Sequence, residues 1–127
     1  MVDQVQVRPG NMFEDDLFPS GDCYAFGNVL HDWPDEVNKR LLEKAFQSLP
    51  TNGCVIILEM LINEDIGLTT KAAAGLNLVM VTNEQGRQYK ESELYQMLSE
   101  TGYVDPQTIS SPLTPYSIVR AFKRRGA

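Results

Sequence analysis

The stretch Asn28-Val29-Leu30-His31-Asp32-Trp33-Pro34-Asp35-Glu36 joins an apolar run to an amphipathic pattern, and the fold is organised around this junction. The run from Cys23 to Leu30, which overlaps the start of this stretch, is mostly apolar on both faces, which is typical of a strand covered on both sides. Pro34 suits the first position of a helix, and the two acids after it favour the positive end of the helix dipole. The stretch also holds His31, the only histidine in 127 residues. A titratable imidazole is therefore predicted at the carboxyl end of a buried strand.

One strand–helix–strand unit is predicted to span this junction. The helix presents six apolar residues on one face at helical spacing, namely Val37, Leu41, Leu42, Ala45, Phe46 and Leu49. The turn 50–53 ends the helix, and a second apolar run follows from Cys54 to Ile62. A strand, a helix and a strand at this spacing predict a parallel pair of strands with a right-handed crossover.

The remainder of the chain predicts further helices and a hairpin. A helical pattern runs from Leu68 to Met80, and a second amphipathic helix stops at Gly102, a natural C-cap. The runs 103–110 and 116–123 read as strands, and the few residues between them favour an antiparallel hairpin over a parallel crossover. Residues 2–8 alternate weakly and predict a short edge strand. The expected fold class is α/β.

Composition narrows the function classes. The net charge of −6 argues against nucleic acid as a partner, because phosphates require a basic surface. No apolar run approaches the ~20 residues of a membrane span, so a soluble, cytoplasmic protein is expected. Cys23 and Cys54 form neither a metal pattern nor a disulfide framework, and they are predicted to be buried free thiols in a reducing compartment.

Two polar residues are candidates for chemistry. Ligands of α/β sheets bind at the carboxyl ends of the strands, where His31 and, on the next parallel strand, Glu59 are expected. A carboxylate there could accept the proton on imidazole Nδ1 and leave Nε2 free as a base. The alternative is a structural histidine that caps the helix, with Glu59 in a salt bridge or facing solvent. Spacing alone leaves both interpretations open.

Sequence blocks add a resemblance to a known family. Gly10-Asn11-Met12-Phe13, then Gly21-Asp22, then the opening stretch resemble the small-molecule O-methyltransferases that use S-adenosylmethionine (SAM), of the plant-phenolic and hydroxyindole type. The run from Gly53 to Glu59 looks like the next block of that family. The resemblance extends from about residue 8 to the end. It implies a partial Rossmann-like sheet, with a parallel βαβ unit, further helices and a C-terminal antiparallel hairpin.

The resemblance also implies roles for individual residues. His31 would be the general base that removes a substrate hydroxyl proton, Glu59 would orient it, and Gln88 stands where the family has a second orienting glutamate. Five residues would contact the cofactor SAM: Asn11, Met12, Gly27, Asp32 and Trp33. Four would line the pocket of a small hydroxylated substrate: Asn28, Val79, Met80 and Asn83. The resemblance implies no metal.

The chain also departs from the family pattern. It contains no G-x-G-x-x-G, so residues 1–127 are expected to be the C-terminal part of a catalytic domain, without the N-terminal cofactor-binding half. Two functions stay open: the catalytic portion of an O-methyltransferase acting on a small aromatic hydroxyl, or a non-catalytic fragment that serves as an oligomeric or partner-binding module. Whether the chain is itself an enzyme is open for the same reason. A homo-oligomer that pairs exposed sheet edges is expected.

Overall fold

The structure is a computed structural model that describes residues 4–14, 18–62 and 88–125. Within these ranges a four-stranded sheet consists of β1 (Cys23–Gly27), β2 (Cys54–Glu59), β3 (Val104–Ser110) and β4 (Ser117–Phe122). Two helices accompany it, α1 (Asp35–Ser48) and α2 (Glu91–Glu100). The strand order is β1-β2-β4-β3, in which β1 and β2 are parallel and the other two pairs are antiparallel. The predicted α/β class, βαβ unit and C-terminal hairpin are confirmed.

The core lies between the two helices and one face of the sheet. In β2 every second residue is buried, so that Val55, Ile57 and Glu59 share the covered face. Their in-register partners on β4 are buried as well. The helices contribute the buried side chains Leu41, Leu42, Ala45, Leu94, Met97 and Leu98. Because the covered face continues to the carboxyl end of β2, Glu59 becomes a buried acid.

Charged side chains stabilise both ends of α1. Pro34 is the N-cap, one position before the predicted one, and two acids occupy the first turn. At the other end the Lys123 ammonium donates to the carbonyl oxygens of Phe46 and Leu49, at 2.8 and 2.9 Å. A cation on carbonyls of the last turn stabilises the helix and ties the residue after β4 to α1.

The ends of α2 agree with the sequence pattern. The backbone N–H of Lys90, the N-cap residue, donates to Glu93 Oε1 at 2.8 Å, so a glutamate side chain compensates for a poor N-cap. Gly102 follows the helix with φ of +104°, as the predicted C-cap requires. A Cβ on Gly102 would lie 3.1 Å from the Phe46 ring, so this turn also packs against α1.

The first strand is shorter and more exposed than predicted. It ends at Gly27, Asn28 takes a left-handed φ of +57°, and the residues Leu30–Asp32 form a short 3-10 helix. His31 therefore lies on this 3-10 turn and not at the strand end. Among the described residues only one face of β1 is covered; Cys23 on the other face is exposed, and Cys54 is half-buried. The prediction of two buried thiols was wrong, because burial on both faces needs a second covering layer that a sequence run does not specify.

Other predictions fail or lie outside the described part. Residues 4–8 form no strand and are exposed, with Val7 at 92%. An isolated strand gains little without a neighbour to pair with, so weak alternation was not enough. The helical pattern 68–80 and the loop 83–87 lie outside the described residues. Among the described residues, no helix has the length and apolar character needed to cross a bilayer.

Candidate active site

The centre of the candidate site is a buried histidine between two carboxylates. His31 is 8% exposed, and its Nδ1 lies 2.5 Å from Oε1 of Glu59, which is 1% exposed. On the other side of the ring, Nε2 lies 3.3 Å from Oδ1 of Asp32, whose side chain is half exposed. The predicted contact between His31 and Glu59 is therefore present. The neighbouring acid in the 3-10 turn thus reaches the nitrogen that was expected to act as a base, and that role of Nε2 stays a prediction.

The environment of Glu59 opposes its ionisation. Burial raises the pKa of the Glu59 carboxyl above its ordinary value, and the hydrogen bond and charge of His31 act in the opposite direction without cancelling it. Its second oxygen, Oε2, has no hydrogen-bond partner among the described residues. A carboxylate with a single strong partner in an apolar layer gains from sharing a proton with that partner. Glu59 is thus placed to bind the Nδ1 atom of the imidazole.

The turn that carries His31 is fixed by Asn38 of α1. The Asn38 side-chain amide donates to the carbonyl oxygen of Leu30 at 2.7 Å and to that of Trp33 at 3.2 Å. These two carbonyls stand immediately on either side of His31 and Asp32 in the chain. Asn38 also donates to the Tyr89 hydroxyl at 2.7 Å, and it is 0% exposed. One buried amide therefore holds both ends of the 3-10 turn.

Sequence reasoning missed Asn38 and Tyr89, although a signal for Asn38 was present. Asn38 stands three and four residues before Leu41 and Leu42, so it occupies the apolar face of α1. A polar residue in an apolar stripe needs hydrogen-bond partners, and here it binds carbonyls of the His31 turn. The Tyr89 hydroxyl in turn donates to Asp35 Oδ1 at 2.7 Å. The position of Tyr89 depends on its long-range contact with Asn38, which no local sequence pattern predicts.

A cavity of about 640 Å³ adjoins the other end of the His31 turn. Its lining brings together Met12, Phe13 and Trp33 with residues of α1. The Phe13 and Trp33 rings meet edge to face, with centroids 4.9 Å apart. Lys44 donates to the Met12 carbonyl oxygen at 2.6 Å and so fixes the 11–13 turn against α1. Two of the predicted cofactor residues, Met12 and Trp33, therefore lie in one apolar, aromatic recess.

The other predicted cofactor residues are placed around this recess or the strand end. Asn11 Oδ1 accepts the backbone N–H of Phe13 at 2.9 Å, so its side chain shapes the turn. Gly27 is the last residue of β1, and a Cβ there would meet nothing within 4 Å. Asp32 contacts His31, as described above. The cofactor contacts of these residues stay predictions.

Of the remaining predicted residues, two lie in the described part. Gln88 is buried directly before Tyr89, as an orienting residue would be, and its role stays a prediction. Asn28 is exposed at the end of β1, where its amide donates to the Tyr116 hydroxyl at 3.4 Å. Val79, Met80 and Asn83 lie outside the described residues.

Comparison with known proteins decides the family. The sequence model of a protein family, described as the O-methyltransferase domain, matches residues 1–104. This chain belongs to the O-methyltransferase domain family. It is 29% identical over 115 residues to the tetracenomycin polyketide synthesis 8-O-methyltransferase of Streptomyces glaucescens. The aligned region covers 89% of this chain and 34% of that protein. It is 30% identical over 106 residues to human acetylserotonin O-methyltransferase, covering 83% of the chain and 30% of the relative.

Solved structures agree on the fold of this O-methyltransferase chain. The crystal structure of human N-acetylserotonin methyltransferase in complex with SAM superposes with a TM-score of 0.85 and 27% identity. The match covers 96% of this chain and 34% of the human one. The chain thus spans about a third of the length of the relatives it matches.

Proposed function

We propose that the chain carries the proton-accepting part, and the adenine-facing part, of the active site of a SAM-dependent O-methyltransferase. The substrate would be a small molecule with an aromatic hydroxyl. The observation that carries this proposal is the buried pair of His31 and Glu59, held at 2.5 Å beside the carboxyl ends of two parallel strands. Buried titratable pairs at this edge of an α/β sheet are typical of active sites.

The proton step follows from the geometry of the ring. With Glu59 accepting the Nδ1 proton, the Nε2 lone pair is the one available to take a proton from a substrate hydroxyl. Glu59 then faces the imidazolium that forms and stabilises its charge. Asp32 occupies the Nε2 side at 3.3 Å, but its side chain is half exposed and can turn to solvent as a substrate arrives. Asp32 therefore acts as a displaceable partner of the base.

The recess beside Trp33 fits part of SAM, the cofactor that supplies an electrophilic methyl group when bound. Met12, Phe13 and Trp33 present a thioether and two aromatic rings, a surface suited to the flat adenine. No carboxylate is among the described residues that line this recess, so they offer no acid to a ribose diol. The open space beside Gly27 leaves room for the cofactor near the strand end. These residues would hold the adenine end only.

The substrate side of the proposal rests on fewer residues. Asn28 lies at the end of β1, and its hydrogen bond to Tyr116 places two polar groups at the carboxyl edge of the sheet. Val79, Met80 and Asn83 are proposed as further lining by resemblance, and Gln88 as a second orienting group. The human relative takes its name from acetylserotonin, which supports a small aromatic substrate here.

The cofactor proposal has a direct test, because Trp33 is the only tryptophan of the chain. Titration with S-adenosylhomocysteine should quench or shift its fluorescence with saturation, since Trp33 lines the proposed adenine recess. Met12→Ala should weaken that saturation. Gln47→Ala, on the exposed face of α1, is the matched control and should leave it unchanged. An unchanged spectrum, with no heat in calorimetry, would reject cofactor binding by this chain.

A second candidate function is a non-catalytic module that binds a partner or a second copy. The specific observation in its favour is that β1 is an edge strand among the described residues, together with the absence of an acid among the described residues of the recess. The same fluorescence titration separates the two functions. Sedimentation provides the positive evidence, because a module of this kind forms a complex whether or not S-adenosylhomocysteine binds.

A further inference from the structure

Two thiols meet on the sheet face opposite to α1 and α2, the two α-helices of the described residues, and the proposed methyl-transfer site uses neither. Cys23 on β1 and Cys54 on β2 are in-register partners of the parallel pair. Their sulfur atoms lie 3.2 Å apart, and both cysteines are free. The pair stands at the amino ends of these strands, whereas His31 follows the carboxyl end of β1. It is therefore separate from the candidate active site.

The backbone explains why the two sulfur atoms meet. In-register residues of neighbouring strands point to the same face, and neighbouring strands lie about 4.8 Å apart. That spacing falls within the Cα separation of roughly 4.4 to 6.8 Å that a disulfide bridges. Cys23 is exposed, and β1 is at the edge of the sheet within the described part of the chain. A small oxidant can therefore reach one sulfur while the other is already in place.

We propose that Cys23 and Cys54 form a dithiol modification site, which closes to an intramolecular disulfide by exchange with a small-molecule disulfide such as oxidised glutathione. The Cys23 thiolate attacks one glutathione sulfur and releases a glutathione thiolate. The Cys54 thiolate then attacks the Cys23 sulfur and releases the second glutathione. Two protein S–H bonds are lost and one S–S bond forms. The two protons and two electrons end on two glutathione thiols.

The two steps differ in speed because of where the thiols lie. Burial, and then the Cys54 thiol, raise the pKa of Cys23 to about 11, so Cys23 is largely protonated near neutral pH and the first attack is slow. The second attack is intramolecular between groups already in contact, so it is fast. The glutathione adduct on Cys23 should therefore not accumulate in the wild-type chain.

The experiment is exchange of the 127-residue chain with excess oxidised glutathione at pH 9, followed by mass spectrometry of intact protein and of peptides. We expect the wild-type chain to lose two hydrogens and to yield one cross-linked peptide pair containing Cys23 and Cys54, reversibly with dithiothreitol. The C54S variant should instead carry one glutathione on Cys23. A wild-type chain that retains glutathione, or that stays unmodified while C54S is modified, would overturn the proposal.

Comparing the exchange reaction in buffer and in denaturant shows whether the folded structure, and not the sequence separation of the two cysteines, brings the thiols together. The ratio of disulfide to glutathione adduct measures the effective concentration of one thiol at the other. Because the native strands hold the sulfur atoms in contact, that ratio should be at least about tenfold higher in buffer than in concentrated urea. Equal ratios would show that the fold does not create the site. C23S, which leaves the half-buried Cys54, should react more slowly than C54S.

Discussion

At the scale of single residues, the site depends on how the Glu59 carboxylate is solvated. Its pKa is raised by burial, so between the ordinary pKa of a glutamate and this raised value the folded chain holds a proton that the unfolded chain has lost. Stability contributed by this group is present at lower pH and is lost as the pH rises through that window. Above this window the ionised Glu59 lowers the stability of the fold, and we explain its presence by its contact with His31.

The first prediction follows for Glu59→Gln. Relative to wild type, the variant should gain free energy of unfolding as the pH is raised from 4.5 upward, because a neutral amide has no charge to desolvate. The methyl transfer proposed for His31 should fall by about 100-fold, since the amide stabilises an imidazolium poorly. Urea denaturation at several pH values and a transfer assay measure the two effects. Glu36→Gln, on the exposed side of α1, should show neither effect.

The second prediction concerns Asn38, the buried amide that holds the His31 turn. Asn38→Ala removes the donor to the Leu30 and Trp33 carbonyls, so the Leu30 carbonyl keeps only the 3.3 Å bond from the Trp33 N–H and the turn loses its tie to α1, which should cost about 2 kcal/mol. Gln47→Ala removes an exposed amide from the same helix and should stay within about 0.5 kcal/mol of wild type. Denaturant melts of both variants decide the matter. Equal losses for the two would refute the role given to Asn38.

The residue scale also shows what a sequence can reveal of a site. The pairing of His31 with Glu59 was predictable, because strands of one βαβ unit end at the same edge of the sheet. The approach of Asp32 to Nε2 was not, because it depends on a 3-10 turn that replaces the last residues of the expected strand. Tyr89 was also unpredictable, since it reaches Asn38 across 51 positions of chain.

At the scale of elements, helices and strands were predicted well where one face is apolar and the ends carry chemical signals. α1 and α2 have both features, and Gly102 ends α2 as expected. The extent of β1 was overestimated, because Asn28 turns into the left-handed region after Gly27. Val29 and Leu30 resume the apolar pattern after Asn28, so the run was taken as continuous although Gly27-Asn28 is a turn signal. The element that follows, not the strand itself, determines where β1 ends.

The third prediction tests the turn between α1 and β2 at Gly53. A Cβ on Gly53 would lie 2.9 Å from the Leu49 side chain and 3.0 Å from two backbone oxygens, those of Asp22 and Pro50. Because backbone cannot yield as a side chain does, Gly53→Ala should cost about 2 kcal/mol of unfolding free energy. Gly27→Ala meets open space and should leave stability unchanged or slightly higher. Thermal melts that rank the two variants in the opposite order would contradict this explanation.

At the scale of the whole molecule, the strand order leaves β1 on the edge of the described sheet. The βαβ unit and the hairpin were predictable because crossover handedness and a short connection allow few alternatives. The insertion of β4 between β2 and β3 was not, because antiparallel pairing of β4 with β2 joins segments far apart in sequence. That insertion closes one side of β2, and among the described residues the outer side of β1 has no neighbouring strand. A free parallel edge is a surface on which another strand can pair.

We expect two copies to associate through this free edge of β1. Asn28 N–H donates to the Leu58 carbonyl at 3.0 Å, and the Asp22 carbonyl accepts from Cys54 N–H at 3.1 Å, so even-numbered residues of β1 bond to β2. Because backbone groups alternate in direction, the N–H of Ala25 points outward. Ala25→Pro should therefore block edge pairing while leaving the β1–β2 ladder intact. Ala25→Ser keeps the N–H and is the matched control.

Sedimentation equilibrium of the three proteins tests this fourth prediction. The wild-type chain and Ala25→Ser should sediment with about twice the monomer mass of 14.3 kDa, and Ala25→Pro close to the monomer mass. Similar melting curves for the two variants at low concentration would show that the proline does not act by unfolding β1. A wild-type chain that stays monomeric at high concentration would rule out the edge-paired dimer. An Ala25→Pro variant that still dimerises would place the contact elsewhere, and the uncovered sheet face that carries Cys23 and Cys54 would then be the surface to test.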